Sequence, residues 1–390
     1  MEPTPATDAI AFPANRPLRI QRHLGVLGVG VGAFLLFRLF ALLPGLVETL
    51  YATTVGPLIV QPLSLLVGLL PLALVELVLI FYVTWLVVLT GRTAREVARR
   101  QRDWRNALAG GGLRMARDAG VMLVGFYALW GFNYARRPLS ERLGWPAWNA
   151  PEIEALISLA EQSVESTNAA YWALHETEDA GHPTQDPPDL GALDRALETG
   201  WQRAAELLDL PGSTSRRYGR VKRLVLTPIV ARFGIVGFYF PWTAEATVLW
   251  DSPAVTRPAS MAHEKAHQRG IGPESEASFL GFVAASLSPS PHARYSATVF
   301  AQQQLLASLA RADREVYGEV AARRFPGVLR DLADLAEYWR QFQGVGTAIG
   351  RMVNDRYLRA NRVQGGVLSY GRSVRLLITH ASLNDGRLIR

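Results

Sequence analysis

The sequence contains no cysteine. This absence excludes disulfide bonds, thiolate metal ligands and cysteine nucleophiles, so any metal site must use nitrogen and oxygen ligands. The sequence also lacks a glycine-rich loop of the kind that cradles phosphates, and it has no pattern typical of a Ser-His-Asp triad. Internal repeats are absent as well, which excludes the repeat architectures.

Apolar residues, in contrast, are abundant. They make up 49% of the 390 residues, and the mean hydropathy of +0.09 is high for a purely soluble protein. A chain of this length can hold two domains, or one domain and a membrane part. The net charge of +7 could indicate nucleic-acid binding, but the arginines cluster beside apolar segments. We therefore interpret the basic residues as determinants of membrane orientation and expect no nucleic-acid partner.

Three apolar runs lie in the first third of the chain, at about residues 24–45, 64–90 and 118–135. Crossing a hydrocarbon core of roughly 30 Å needs about 20 helical residues, and each run comes close to or exceeds that length. Arg38 and Glu76 interrupt the first two runs. We interpret them as side chains that snorkel or face a neighbouring helix rather than as a polar pathway. The sequence therefore predicts three N-terminal transmembrane helices in a lipid bilayer.

Arginines precede the first run and fill the connection between the second and the third. Because positively charged segments stay in the cytoplasm, this distribution predicts a cytoplasmic N-terminal tail over residues 1–23. A membrane domain over residues 24–135 would then belong to a multi-pass protein of the inner membrane. Residues 136–390 would form an extracytoplasmic domain, provided that the third run crosses the bilayer.

The C-terminal part is predicted to be mostly helical with a small β-sheet. Apolar residues at helical spacing predict a first helix over residues 151–175 and further helices after it. β-Branched and aromatic residues predict strands at about residues 224–226, 235–240 and 245–250. Glu245 in the last strand is expected either to approach a functional site or to pair across the sheet.

Residues 263–267 read His-Glu-Lys-Ala-His, an H-E-x-x-H motif. On a helix, His263 and His267 lie one turn apart on the same face, so both imidazoles can bind a single metal ion. Glu264 lies beside them, where its carboxylate can take a proton from the attacking water. Zinc held by two histidines and one acid keeps a position for water, so the motif predicts a catalytic zinc site with Glu264 as the general base.

Two acids that follow the motif are candidates for the third zinc ligand. Gly270 is expected to end the motif helix, and Pro273 to start the next one, so that the chain doubles back. Glu274 is the first choice, because it precedes Ala277 by three residues and resembles the E-x-x-A-D ligand helix of some membrane zinc peptidases. Glu276 is the alternative ligand. Either acid could instead simply favour a helix N-terminus.

Seven short blocks of sequence occur in a characteristic order from the end of the third apolar run onward. They cover residues 130–134, 237–246, 262–270, 274–280, 294–296, 357–358 and 369–371. In these blocks the chain resembles the bacterial membrane family catalogued as domain of unknown function 3810, most specifically in its H-E-x-A-H-Q-R-G segment. The resemblance implies an α+β, zincin-like metallopeptidase domain that uses zinc. Lys265 and Ser278 depart from the pattern, and Lys265 is expected to point away from the metal.

The sequence thus predicts a membrane-anchored zinc metallopeptidase acting on a peptide or protein substrate. His263, His267 and Glu274, or Glu276 in its place, would hold zinc, and Glu264 would activate water. Two alternatives remain. One is a membrane protein that binds zinc for sensing or structure without catalysis, and the other is a scaffold that binds a partner and no metal.

Overall fold

A computed structural model describes residues 20–363, 365, 366, 368 and 372–389. Most of the predicted cytoplasmic tail over residues 1–23 lies outside this described part. The last of the seven sequence blocks, residues 369–371, lies outside it too. The proposed boundaries of tail, membrane domain and extracytoplasmic domain therefore stay a prediction.

The described chain is mostly helical with one small β-sheet, as predicted. Its α-helices are α1 (Ile20–Phe40), α2 (Pro44–Leu46), α3 (Gly56–Gly68), α4 (Leu74–Ala98), α5 (Trp104–Leu129), α6 (Leu139–Arg142), α7 (Ile153–His175), α8 (Leu190–Leu207), α9 (Gly212–Ser215), α10 (Thr227–Ala231), α11 (Arg257–Gln268), α12 (Glu274–Ser286), α13 (Pro291–Ala312), α14 (Arg314–Ala321), α15 (Pro326–Arg340), α16 (Val345–Ala360) and α17 (Ser373–Ser382). Its strands are β1 (Lys222–Leu224), β2 (Gly237–Phe240) and β3 (Glu245–Leu249). A π-helical segment, Val47–Val55, joins α2 to α3, and a 3-10 helix, Gly131–Ala135, follows α5.

Contacts between residues divide the chain into two compact units. The first comprises the chain up to Leu36 together with Tyr82–Tyr127, and the second comprises Phe37–Phe81 and Ala128–Arg390. Within the first unit, a Cβ atom added to Gly30 would lie 2.7 Å from the Cα atom of Gly120. The backbones of α1 and α5 therefore meet closely through small residues, as membrane helices commonly do.

Three helical segments of the described chain are long and apolar enough to cross a membrane. They are Ile20–Phe40, Pro44–Gly68 and Leu74–Ala98. Their number agrees with the prediction, but their limits differ. The predicted run at residues 64–90 is divided by a break at residues 69–73, which hydropathy alone does not reveal. The predicted run at residues 118–135 falls mainly in α5, which also carries Arg114, Arg117 and Asp118 and is not among these segments.

A buried ion pair in the second unit lies at the break between α3 and α4. The Nζ atom of Lys222 donates to the carbonyl oxygens of Val67 and Leu72, at 2.8 Å each, near the end of α3. The Glu245 carboxylate accepts hydrogen bonds of 2.8 and 2.9 Å from the first two backbone N–H groups of α4. Lys222 and Glu245 also pair with each other at 2.9 Å. Each charge therefore complements a helix end, and Glu245 pairs across the sheet.

The sheet has the strand order β1-β3-β2, with β1 parallel and β2 antiparallel to β3. Gly237 pairs with Val248 and Phe240 with Glu245, so β2 is an edge strand. Every residue of β3 is buried, whereas β2 is half-buried along its length. Beyond β1, the backbone N–H of Leu226 donates to Glu76 at 2.6 Å, which gives this acid a polar partner inside the protein.

Helix α12 is the centre of the main core and lies between α11 and α8. A Cβ atom on Gly281 would lie 2.9 Å from the backbone nitrogen of His263. On the other side, a Cβ atom on Gly200 would lie 2.0 Å from the Ala284 carbonyl oxygen. Fully buried apolar side chains of α8 and α12 fill the space around these contacts, including Leu197, Trp201, Phe279, Leu280 and Val283. This packing fixes the separation of α11 from α12.

Candidate metal centre

The H-E-x-x-H motif lies on α11, whose residues Met261–Gln268 are almost all buried. The helix ends at Gln268, and Gly270 follows with a φ of +74°, in the left-handed region that favours glycine. The chain then reverses, and α12 begins directly after Pro273. The imidazole rings of His263 and His267 have centroids 4.9 Å apart and planes at 86°.

The reversal places the Glu274 carboxylate against both imidazoles. Its Oε2 atom lies 3.1 Å from Nε2 of His263 and 3.5 Å from Nε2 of His267. One ligand-type atom from each of the three residues lies within 4.8 Å of the others. Ligands about 2.0–2.1 Å from a tetrahedral zinc ion are roughly 3.3 Å from one another. The donor set and its spacing therefore fit zinc.

Glu276, the alternative third ligand, points elsewhere. One of its carboxylate oxygens accepts a hydrogen bond from the backbone N–H of Leu139 at 2.9 Å. The other pairs with the Arg142 guanidinium at 2.7 Å, and both side chains of this pair are buried. The structure thus brings Glu274, and not Glu276, to the two histidines.

Contacts on the far side of each imidazole fix its orientation. The Nδ1 atom of His267 lies 2.7 Å from the carbonyl oxygen of Ile271, so the ring donates there and directs Nε2 at Glu274. The Nδ1 atom of His263 lies 3.1 Å from the hydroxyl of Ser278. The Trp130 indole donates to the backbone carbonyl of His267 at 3.0 Å. The two contacts to Nδ1 orient the rings, as contacts to the outer nitrogen do in metal-binding histidines, and the indole holds the backbone of the second histidine.

Glu264 is buried beside the histidines. Its Oε2 atom has no hydrogen-bond partner among the described residues. Burial raises the pKa of Glu264 to about 7, although the nearby His263 and His267 act to lower it. A Cβ atom on Gly237 would lie 3.1 Å from Glu264 Oε1, so the start of β2 passes directly beside this carboxylate. A buried carboxylate with a free oxygen and a pKa near neutrality is suited to accept a proton.

Charge within the donor set favours a cation. Burial lowers the pKa of His267, but the adjacent Glu274 carboxylate outweighs burial and brings it to about 9. Burial acts to raise the pKa of Glu274, but the two histidines hold it well below its usual range. The carboxylate therefore stays ionised and stabilises positive charge between itself and the imidazoles.

Lys265 points away from the histidines, as expected. It is fully buried on the opposite side of α11, where Nζ lies 2.7 Å from Glu198 and 3.0 Å from Asp194. Arg269, one turn later, pairs with the second Glu198 oxygen at 2.9 Å and lies over the ring of Trp201. These charges tie α11 to α8 beneath the metal-binding face.

The sequence patterns did not identify three groups that shape the site. They are the indole of Trp130, the backbone carbonyl of Ile271 and Gly237, which has no side chain beside Glu264. A backbone carbonyl carries no sequence signal at all, because every residue has one. Trp130 and Gly237 do lie in two of the quoted sequence blocks. Their places in those blocks were the only available signal.

A family model described as "Protein of unknown function (DUF3810)" matches residues 51–378. The chain belongs to this family. No curated protein and no solved structure matches the chain. The match covers both the motif helix and the helix that carries Glu274, but the description of the family states no activity.

Proposed function

We propose that this DUF3810 protein is a membrane-anchored zinc metallopeptidase that hydrolyses peptide bonds. The observation that supports the proposal is the convergence of His263, His267 and Glu274 beside a buried oxygen of Glu264 that has no partner in the described chain. Two imidazoles and one carboxylate form the open ligand set of catalytic zinc sites rather than the closed set of structural ones.

Different residues of the site have different roles in the proposed reaction. When bound at the three ligands, zinc supplies a Lewis acid that polarises the scissile carbonyl and makes water easier to deprotonate. Glu264 accepts the proton of the attacking water and passes it to the leaving amine. Ile271 and Ser278 hold the two imidazoles in place through their Nδ1 atoms.

Edge strand β2 is the proposed binding place for an extended substrate. A peptide that adds to a free strand edge gains backbone hydrogen bonds along its whole length. The strand begins at Gly237, next to Glu264, so such a peptide lies beside the general base. In the proposed zincin-like domain, the edge strand that binds substrate precedes the H-E-x-x-H helix, and the helix that carries the third ligand follows it.

The arginine distribution supports a topology for this protein. We place the N-terminus and the arginine-rich segment before α5 in the cytoplasm, and we propose that α5 crosses the inner membrane, which puts the metal centre on the extracytoplasmic side. The substrates of the proposed enzyme are then peptides or proteins outside the cytoplasm, and we propose no nucleic-acid partner.

The test of the mechanism is Glu264→Gln in the full chain, purified in detergent and assayed on a peptide library. Hydrolysis is expected to fall by about 10²–10⁴-fold, the usual contribution of a general base, while zinc measured by mass spectrometry stays at one ion per chain. Unchanged hydrolysis would overturn the mechanism. Zinc without any hydrolysis by the unmodified chain would support the sensor alternative instead, and protein free of zinc the metal-free scaffold.

A matched pair of variants tests the third ligand. Glu274→Gln is expected to lose zinc, because the carboxylate that faces both imidazoles is gone. Glu276→Gln is the control: it removes a buried acid of the same helix that faces Arg142, so it should retain zinc in whatever fraction stays folded. The reverse pattern would make Glu276 the ligand.

A further inference from the structure

Helix α16 packs against the rest of the second unit through one glycine-lined side. A Cβ atom on Gly346 would lie 2.6 Å from the carbonyl oxygen of Arg232, and one on Gly350 would lie 2.1 Å from that of Phe233. Further along the same side, Leu358 is fully buried. The backbone of α16 thus sits directly on the turn that leads into β2.

The opposite side of α16 is apolar and exposed. Val345 is 77% exposed, Ile349 44%, Met352 47% and Val353 57%. These four residues, which we call the α16 face, recur at the spacing of one helix side. Phe233, on the turn beneath the helix, is 40% exposed as well. A contiguous apolar surface of this kind marks a protein or membrane contact.

Charge around the α16 face is positive. Arg351, Arg356 and Arg359 are exposed on the helix. The only acid of the helix, Asp355, is half-buried and pairs with Arg359 at 2.6 Å. An apolar side with arginines next to it is typical of helices that lie in the plane of a membrane surface with anionic headgroups. A partner protein would need an apolar patch with an acidic rim of matching shape, whereas an anionic bilayer surface offers both features along the whole helix.

The position of α16 in the fold favours the same partner. The Arg362 guanidinium, two residues past the end of the helix, donates to the carbonyl oxygen of Ala41 at 2.8 Å. Ala41 directly follows α1, the first candidate membrane span. Because the ends of a spanning helix lie at the headgroup level, this bond places the C-terminal end of α16 at the bilayer surface.

We propose that the α16 face docks onto the bilayer, with Val345, Ile349, Met352 and Val353 entering the boundary between headgroups and acyl chains. The arginines bind anionic lipid phosphates. Docking is independent of whether the protein hydrolyses peptides. It has one consequence for the metal centre: Tyr357 of α16 contacts Tyr134 (hydroxyl oxygens 3.3 Å apart), whose ring packs on Trp130 beside His267. The centre therefore lies close to the membrane surface.

The natural absence of cysteine makes a clean test possible. Met352→Cys and, as control, Glu165→Cys on the exposed side of α7 are each labelled with a fluorophore in the full chain. Both are reconstituted into vesicles of phosphatidylcholine and phosphatidylglycerol with brominated acyl chains, which quench only probes at their depth. The membrane helices hold both variants on the vesicle, so the readout reports depth rather than binding.

The expected result is loss of most emission at Met352 and none at Glu165, with less quenching when phosphatidylglycerol is omitted. Adding Ile349→Glu and Val353→Glu to the Met352→Cys chain should restore the emission. Equal emission from both probes would overturn the proposal. Self-quenching at Met352 that increases with protein density and does not depend on brominated lipid would also overturn it. That result would mean that the α16 face binds a second copy of the chain.

Discussion

At the scale of single residues, the candidate metal centre depends on what lies behind each imidazole. His267 is oriented by a backbone carbonyl, which substitution cannot remove, whereas His263 is oriented by the Ser278 hydroxyl. Ser278 is one of the two departures from the family pattern, and its hydroxyl contacts the His263 ring at 3.1 Å.

Ser278→Ala is expected to weaken zinc binding by about 10–100-fold, the usual cost of losing a contact that orients a metal ligand. Competition with a chelator of known affinity measures the change. The matched control is Ser286→Ala on the same helix, whose hydroxyl has no hydrogen-bond partner in the described chain. Equal zinc affinity in the two variants would mean that Ser278 does not orient His263.

At the scale of elements, the centre depends on the turn between α11 and α12. Gly270 has a φ of +74°, and a Cβ atom there would lie 2.8 Å from the side-chain oxygen of Asn133. The Arg136 guanidinium donates to the Gly270 carbonyl at 2.8 Å and also binds Glu48. The turn that delivers Glu274 to the histidines is therefore held by the segment after α5.

Gly270→Ala is expected to destabilise the protein by about 1–2 kcal/mol, because alanine is strained in the left-handed region, and to weaken zinc binding by displacing the turn. Thermal unfolding and chelator competition measure the two effects. Gly144→Ala is the control, since Gly144 also has a positive φ of +64° but open space around it. It should share the loss of stability and keep the zinc affinity. Unchanged zinc affinity in Gly270→Ala would contradict the role of the turn.

At the scale of the whole molecule, buried charges connect the motif helix to the rest of the second unit. Glu198 of α8 binds Lys265 of α11 and Arg269 directly after it, and Lys222 with Glu245 holds the break between α3 and α4. Removing one partner of a buried pair leaves the other charge uncompensated, which costs about 3–5 kcal/mol. The Glu198 pairs therefore make α11 depend on α8, which is distant in sequence.

The Glu198 network predicts how stability depends on pH. Burial acts to raise the pKa of Glu198, but Arg269 and Lys265 outweigh it and bring it from 4.5 to about 2. Because the folded-state pKa is lowered, the stabilisation is complete above pH 4.5 and is lost as the pH falls towards 2. The difference corresponds to about 3 kcal/mol.

Glu198→Gln should therefore lower the unfolding temperature at pH 7 and flatten its dependence on pH across this acidic range. Thermal unfolding in detergent as a function of pH measures both. Glu206→Gln, at an exposed position of the same helix, should behave like the unmodified chain. A steep acid loss that persists in Glu198→Gln would assign the pH dependence to other carboxylates.

Local patterns in the sequence were sufficient for most helices after residue 150, for the presence of the small sheet and for the spacing of His263, Glu264 and His267. Helical periodicity predicted residues 151–175, where the structure has Ile153–His175. These features depend on residues only a few positions apart, and the 3.6-residue turn alone places two histidines on one face.

Tertiary structure decided what the local pattern left open. Glu274 and Glu276 are two positions apart on one helix and point in different directions, so their roles depend on where α11 and Arg142 lie around α12. The division of residues 64–90 has a local cause in Pro71, and Lys222 and Glu245, which lie about 150 residues or more away along the chain, bind the two helix ends that it creates. The sequence determined which side chains could form the centre, because that is set by chemistry and spacing; packing decided which of them meet, because burial and charge pairing act across the whole fold.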